Sequence, residues 1–185
     1  MYDRDRLIEL FHSSGALRTG EFVLASGRTS HYFLDGKLVT LQAAGLRLVA
    51  EGLLELLDDV EFDAVGGMSM GADPIVAGML AVAPGMNREL TGWLVRQQPK
   101  GRGTDKFVEG PVREGAKVVV IDDVVTTGGS ALRSVERIRE AGGEVVQVVG
   151  VVDRLEGGAE NFAQAGIPFR ALLTVKDLGI EPAVL

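Results

Sequence analysis

Residues 118–131, VVVIDDVVTTGGSA, constrain the chain more than any other stretch. A run of β-branched residues reads as a buried strand, two acids follow, and Thr-Thr-Gly-Gly-Ser turns the chain into an amphipathic segment. A strand apolar on both faces belongs in a parallel sheet covered by helices, where ligands sit beyond the carboxyl ends of the strands. The turn from Val124 and Val125 onward offers consecutive backbone N–H groups, and Thr126, Thr127 and Ser130 add hydroxyls at the positive end of a helix dipole. Gly128 and Gly129 leave room for close approach, so the turn is a cradle for a phosphate monoester. Asp122 and Asp123 would repel phosphate. They can accept hydrogen bonds from ribose hydroxyls, or hold Mg²⁺ through water, which makes a ribose 5-phosphate the fitting ligand. Neither a Gly-Lys-Ser/Thr P-loop nor a Gly-x-Gly-x-x-Gly turn after a strand occurs. A plain β-to-α turn with incidental acids is the bland alternative.

The flanking pattern agrees with such a sheet. Leu7, Ile8, Leu10 and Phe11 predict a helix from Arg4 that stops at Gly15. Glu21–Ser26 and His31–Asp35 predict a hairpin about Ser26-Gly27-Arg28-Thr29. Helices are expected over Leu41–Leu57, Pro74–Ala83, Ser130–Ala141 and Ala159–Ala165, and strands over Phe62–Val65, Gly92–Arg96, Lys117–Asp122, Val145–Asp153 and Phe169–Val175. The alternation predicts an α/β fold, a mostly parallel sheet flanked by helices, in a single domain over 1–185 with 1–40 forming a small N-terminal hood.

A net charge of −7 without a dense basic run argues against nucleic acid as a partner, and the absence of cysteine removes disulfides, thiolate metal sites and a Cys nucleophile. Met1-Tyr2-Asp3-Arg4-Asp5-Arg6 is too charged for a secretory signal, and no window approaches the roughly 18 apolar residues of a membrane span. A cytoplasmic protein without a membrane partner is expected. The 25 glycines are nearly twice the usual share of about 7% and stand singly or in pairs between apolar runs. His12 and His31 have no acid at metal-ligand spacing and read as surface or capping residues, and Trp93 reads as packing.

The 118–131 stretch resembles the phosphoribosyl-pyrophosphate signature of type I phosphoribosyltransferases, and three further segments are similar to orotate phosphoribosyltransferase. The first is Gly20-Glu21-Phe22-Val23-Leu24-Ala25-Ser26-Gly27-Arg28 with Tyr32-Phe33, like the family's hood over the pyrimidine, where Phe33 can wall a flat base. The second is Val152-Asp153-Arg154-Leu155-Glu156-Gly157-Gly158. The resemblance gives Arg154 a contact with orotate, which suits a guanidinium fork, and brings Thr126 to orotate as well. The third, Arg96-Gln97-Gln98-Pro99-Lys100-Gly101-Arg102-Gly103-Thr104-Asp105-Lys106, resembles a loop that closes over pyrophosphate and, in the family, reaches the neighbouring subunit's site. Gly66-Gly67-Met68-Ser69-Met70-Gly71-Ala72-Asp73 reads as a second backbone contact for pyrophosphate.

The resemblance thus implies transfer of ribose 5-phosphate from phosphoribosyl pyrophosphate to orotate, a step of pyrimidine nucleotide synthesis. Mg²⁺ would be held mainly through substrate and water near Asp122 and Asp123, and a homodimer would share its 97–110 loops. Asp123, Lys100, Arg96 and Arg102 are the implied catalytic residues, with Gln97, Asp122 and residues 124–130 binding phosphoribosyl pyrophosphate. Gln97 stands where lysine is usual and Arg102 where histidine is usual, Ala25 replaces a lysine of some relatives, and the 66–73 loop lacks the lysines others carry. Arg102 neutralises charge but is too basic to give up a proton near pH 7. Two other readings remain at this point, a purine-salvage phosphoribosyltransferase and a phosphoribosyl-pyrophosphate-sensing regulator with little turnover.

Overall fold

The computed structural model describes residues 2–23, 29–99 and 106–182. Helix α1 (Arg4–Ser13) starts where the Asp3 carboxylate accepts the Arg6 N–H at 2.9 Å, and it buries Leu7, Leu10 and Phe11 at helical spacing. Strands β1 (Leu17–Val23) and β2 (Thr29–Leu34) then form the antiparallel hood. β1 begins four residues before the expected Glu21, because Leu17, Arg18 and Thr19 pair with Leu34, Phe33 and Tyr32. Polar Arg18 and Thr19 gave no apolar alternation to signal it. The turn residues Leu24 to Arg28, with the Ala25 departure, lie outside the described residues. Helix α2 (Lys37–Thr40) is too short to show a period, and α3 (Ala43–Leu56) follows it.

The main sheet runs β5-β4-β3-β6-β7-β8. β3 (Ala64–Met68), β4 (Thr91–Val95), β6 (Lys117–Val125), β7 (Glu144–Asp153) and β8 (Phe169–Thr174) are mutually parallel, and β5 (Val108–Glu109) adds a short antiparallel edge. Val119 and Ile121 of β6 face a core shared with α1, α3 and α4 (Asp73–Val82); Val118 and Val120 face one shared with α5 (Gly129–Glu140) and α6 (Gly158–Gln164). One apolar run therefore serves two cores, as a strand covered on both faces must. Trp93 of β4 is fully buried in the second.

Two strand ends differ from the sequence pattern. β3 covers Ala64–Met68 instead of Phe62–Val65, so Gly66 and Gly67 lie inside the strand and not in a pyrophosphate loop. A Cβ on Gly66 would stand 2.6 Å from the Trp93 carbonyl oxygen, and one on Gly67 would collide with that of Ile121. These glycines admit neighbouring strands where the sequence reads as a strand break. β6 runs past Asp122 to Val125, because Val124 and Val125 pair with Val152 and Asp153 of β7. The acids therefore sit within the strand's last turn of pleat, on opposite faces.

Candidate active site

Asp122 points toward the α5 side and is 8% exposed. Burial, then repulsion from Asp123, pushes its carboxyl up to about 7. Asp123 points the other way, into a slot between two backbone segments. A Cβ on Gly71 would lie 2.5 Å from Asp123 Oδ1, and one on Gly36 would lie 3.5 Å from Oδ2. Lys37 Nζ is 2.6 Å from Asp35 Oδ1 and 3.9 Å from Asp123 Oδ2.

Beyond β6 the chain turns through Thr126–Gly128 into α5. Gly128 has φ +77, and a Cβ there would stand 2.5 Å from Phe162 Cζ, so the loop lies directly on the buried Phe162 ring of α6. Asn161 Nδ2 donates to the Thr127 carbonyl at 2.9 Å and fixes the loop from the same helix. No side chain caps α5, which leaves its first N–H groups beside Gly129 and Ser130 for an anion. Thr127 is exposed and Thr126 and Ser130 half-buried. The loop before α5 therefore rests on one support, helix α6.

Arg154 begins the turn after β7, the strand next to β6, and its backbone N–H donates to Val125 O at 2.9 Å. The residue is 6% exposed, so it is not a surface arginine. Nη2 pairs with Glu156 Oε1 at 2.7 Å, and Nε donates to the Tyr32 hydroxyl at 2.9 Å. Leu155 between the two charged residues adopts φ +57, a conformation uncommon for a branched side chain, and its N–H donates to Asp153 Oδ1 at 2.8 Å. That turn sends both Arg154 and Glu156 inward. Phe33 lies on the opposite side of β2 from Tyr32, half-buried against Phe22 (5.8 Å between ring centroids) with the Arg18 guanidinium 5.1 Å above it.

On the other flank Arg96 Nε contacts Glu109 Oε1 at 3.0 Å, and Gln97 Nε2 donates to Ser69 O at 3.4 Å. The 69–71 segment thus touches Asp123 through Gly71 and the third predicted segment through Ser69. Lys100 and Arg102 lie outside the described residues. His12 and His31 are exposed. Among the described residues no group of three or more His, Cys, Asp or Glu could hold a metal ion, so Asp122 and Asp123 would supply at most two of its ligands. A magnesium ion suits this donor set only if substrate oxygens and water complete its shell.

The sequence singles out the acids, the loop and Arg154, names Tyr32 and Glu156 only inside longer segments with no role of their own, and gives none to Asp35, Lys37 or Asn161. For Lys37 a signal existed: Asp35-Gly36-Lys37 ends a strand with a charged pair about a glycine.

The model of the phosphoribosyl transferase domain family matches residues 84–164. The orotate phosphoribosyltransferase of Rhodopirellula baltica is 46% identical over 173 residues, covering 90% of this chain and 90% of its own. A crystal structure of Mycobacterium tuberculosis orotate phosphoribosyltransferase with Fe(III) dicitrate superposes with a TM-score of 0.85 at 36% identity, covering 96% of this chain and 99% of that one. The same enzyme in complex with 5-phospho-α-D-ribosyl 1-diphosphate gives a TM-score of 0.81 at 35% identity and the same coverage.

Proposed function

Because the chain belongs to the orotate phosphoribosyltransferases, we propose a division of labour among its residues for that reaction. The chain transfers ribose 5-phosphate from phosphoribosyl pyrophosphate to orotate, giving orotidine 5′-monophosphate and pyrophosphate. Orotate N1 forms a bond to ribose C1 as the bond from C1 to the pyrophosphate oxygen breaks, so positive charge develops on the ribose and negative charge on the leaving group. Positioning and electrostatics are what the protein has to supply.

Residues 126–130 hold the 5-phosphate through backbone N–H groups and hydroxyls, with Val124 and Val125 setting the path of the loop. Asp122 and Asp123 receive the ribose hydroxyls, and Asp123 favours the cationic character of the ring. Arg154 serves orotate, with Thr126 beside it, whereas Phe33 faces away from the Tyr32–Arg154 contact and packs within the hood. Arg96, Gln97, Lys100 and Arg102 serve the pyrophosphate. Bound Mg²⁺ would neutralise diphosphate charge, held by substrate and water near the two acids. The protein acts in the cytoplasm as a homodimer that shares its 97–110 loops, each subunit a single folding unit. Among the described residues no helix is long and apolar enough to cross a membrane.

The observation that carries this assignment is Arg154, buried at the end of the strand beside Asp122 and Asp123 and held by Tyr32 and Glu156. A buried guanidinium one strand from the two acids supports a base contact beside the ribose. An assay with phosphoribosyl pyrophosphate, Mg²⁺ and, in turn, orotate, uracil, hypoxanthine and adenine tests it. Orotate is expected to exceed each of the others by about a hundredfold or more in kcat/KM. Preferred turnover of a purine would reverse the base assignment, and binding of phosphoribosyl pyrophosphate without turnover of any base would favour a sensor.

A further inference from the structure

Lys37 carries no role in the reaction as described so far, yet it is built into the site. Its backbone N–H donates to Asp35 Oδ1 at 3.1 Å, and its own Nζ returns to the same oxygen at 2.6 Å, so one carboxylate grips both ends of the residue. Between them, Gly36 packs on Asp123, where a Cβ would stand 3.4 Å from the Asp123 Cβ. Asp35 is itself tied down, its N–H donating to Ala16 O at 2.9 Å. The result is a short rigid arm from the hood that ends with an ammonium 3.9 Å from Asp123 Oδ2. Oδ1 of the same carboxylate lies against Gly71.

We propose that Lys37 is a positioning residue for phosphoribosyl transfer: anchored by Asp35, it holds the Asp123 carboxylate, through Oδ2, in the orientation that receives the ribose hydroxyls. The proposal rests on the ribose-holding role given to Asp123. Two adjacent acids at the end of one strand repel each other. Asp122 is buried, whereas Asp123, its side chain 15% exposed, faces a half-exposed cation. At 3.9 Å the contact is a charge interaction and not a hydrogen bond, so Lys37 itself takes no lone pair of Oδ2. Gly71 blocks rotation on one side and Lys37 favours a single position on the other, which is preorganisation of an acceptor before substrate arrives.

A double-mutant cycle tests this, using Lys37→Met, Lys37→Arg, Asp123→Asn and the combination of Lys37→Met with Asp123→Asn. Affinities are measured by titration for phosphoribosyl pyrophosphate with Mg²⁺ and for orotidine 5′-monophosphate, which carries the ribose but no diphosphate. Lys37→Met is expected to weaken both ligands by a similar factor, about tenfold, and Lys37→Arg to restore most of it. In the Asp123→Asn background, Lys37→Met is expected to cost less than about twofold more. A loss confined to phosphoribosyl pyrophosphate would make Lys37 a diphosphate ligand and overturn the proposal, as would additive losses or no loss. If Asp123→Asn alone leaves both affinities intact, the ribose-holding role fails and the proposal with it, a result separable from additivity. Thermal melting of each variant accompanies the cycle, and Lys37→Gln replaces Lys37→Met if the latter does not fold.

Discussion

A carboxyl group hidden from water beside a second acid keeps its proton to unusually high pH, and Asp122 does so to about 7 against an ordinary value of 3.8. The native state therefore binds a proton more tightly than the unfolded chain between those values. Its contribution to stability is full below the ordinary value and falls as pH rises, at up to about 1.4 kcal/mol per pH unit, levelling off above the native value. Urea unfolding of the ligand-free protein between about pH 5 and 7 should show the wild type losing stability relative to Asp122→Asn. Parallel curves for the two proteins would mean Asp122 is ionised throughout. Arg154 gives a second test, because lysine keeps its charge and loses the fork. Arg154→Lys should weaken orotate by about tenfold or more and leave phosphoribosyl pyrophosphate nearly unchanged, as read by titration of each. Equal losses would assign Arg154 to the phosphate side. The acids and Arg154 were legible because each lies next to a strand end that its own neighbours announce. The role of Tyr32 was not, since its partner Arg154 is 122 positions away and no local pattern reports such a contact.

At the scale of elements, the loop proposed to hold the 5-phosphate depends on what lies under it. Gly128 combines φ +77 with a missing Cβ that would enter the Phe162 ring, so Gly128→Ala forces both backbone strain and displacement of a packed aromatic. A destabilisation of about 1–3 kcal/mol is expected, with a weaker hold on the 5-phosphate. Asn161→Ala should leave stability closer to wild type while raising KM for phosphoribosyl pyrophosphate, because it removes only the hydrogen bond to Thr127 O. Calorimetry and steady-state kinetics on both variants separate support from contact. The elements themselves were largely visible in the sequence, but their ends were not. Periodicity stops where apolar residues stop, whereas a strand stops where pairing stops: Gly66 and Gly67 concealed the end of β3, and the acids concealed the last residues of β6. β5 has two residues and α2 four, too few for any period to register.

Across the whole molecule, the N-terminal segment and hood are fastened to the rest of the fold at separate points. Arg4 meets Asp177 at 2.8 Å, the Tyr2 N–H donates to Glu55 Oε1 at 2.7 Å, and the Tyr32 hydroxyl receives Arg154 Nε at 2.9 Å. The site is therefore assembled from both ends of the chain, and the proposed dimer would add a loop from a second chain. Subunit mixing can decide that last element. If residues 97–110 of one subunit complete the other's site, a heterodimer of Asp123→Asn with Lys100→Ala concentrates both lesions in one site and leaves the other intact. Random reassociation of two nearly inactive homodimers should then recover about a quarter of wild-type activity, since half the dimers are mixed and each has one good site of two. If the loop serves its own subunit, every site keeps one lesion and mixing recovers nothing. Activity measured before and after reassociation, with dimer content followed by sedimentation, distinguishes the two arrangements.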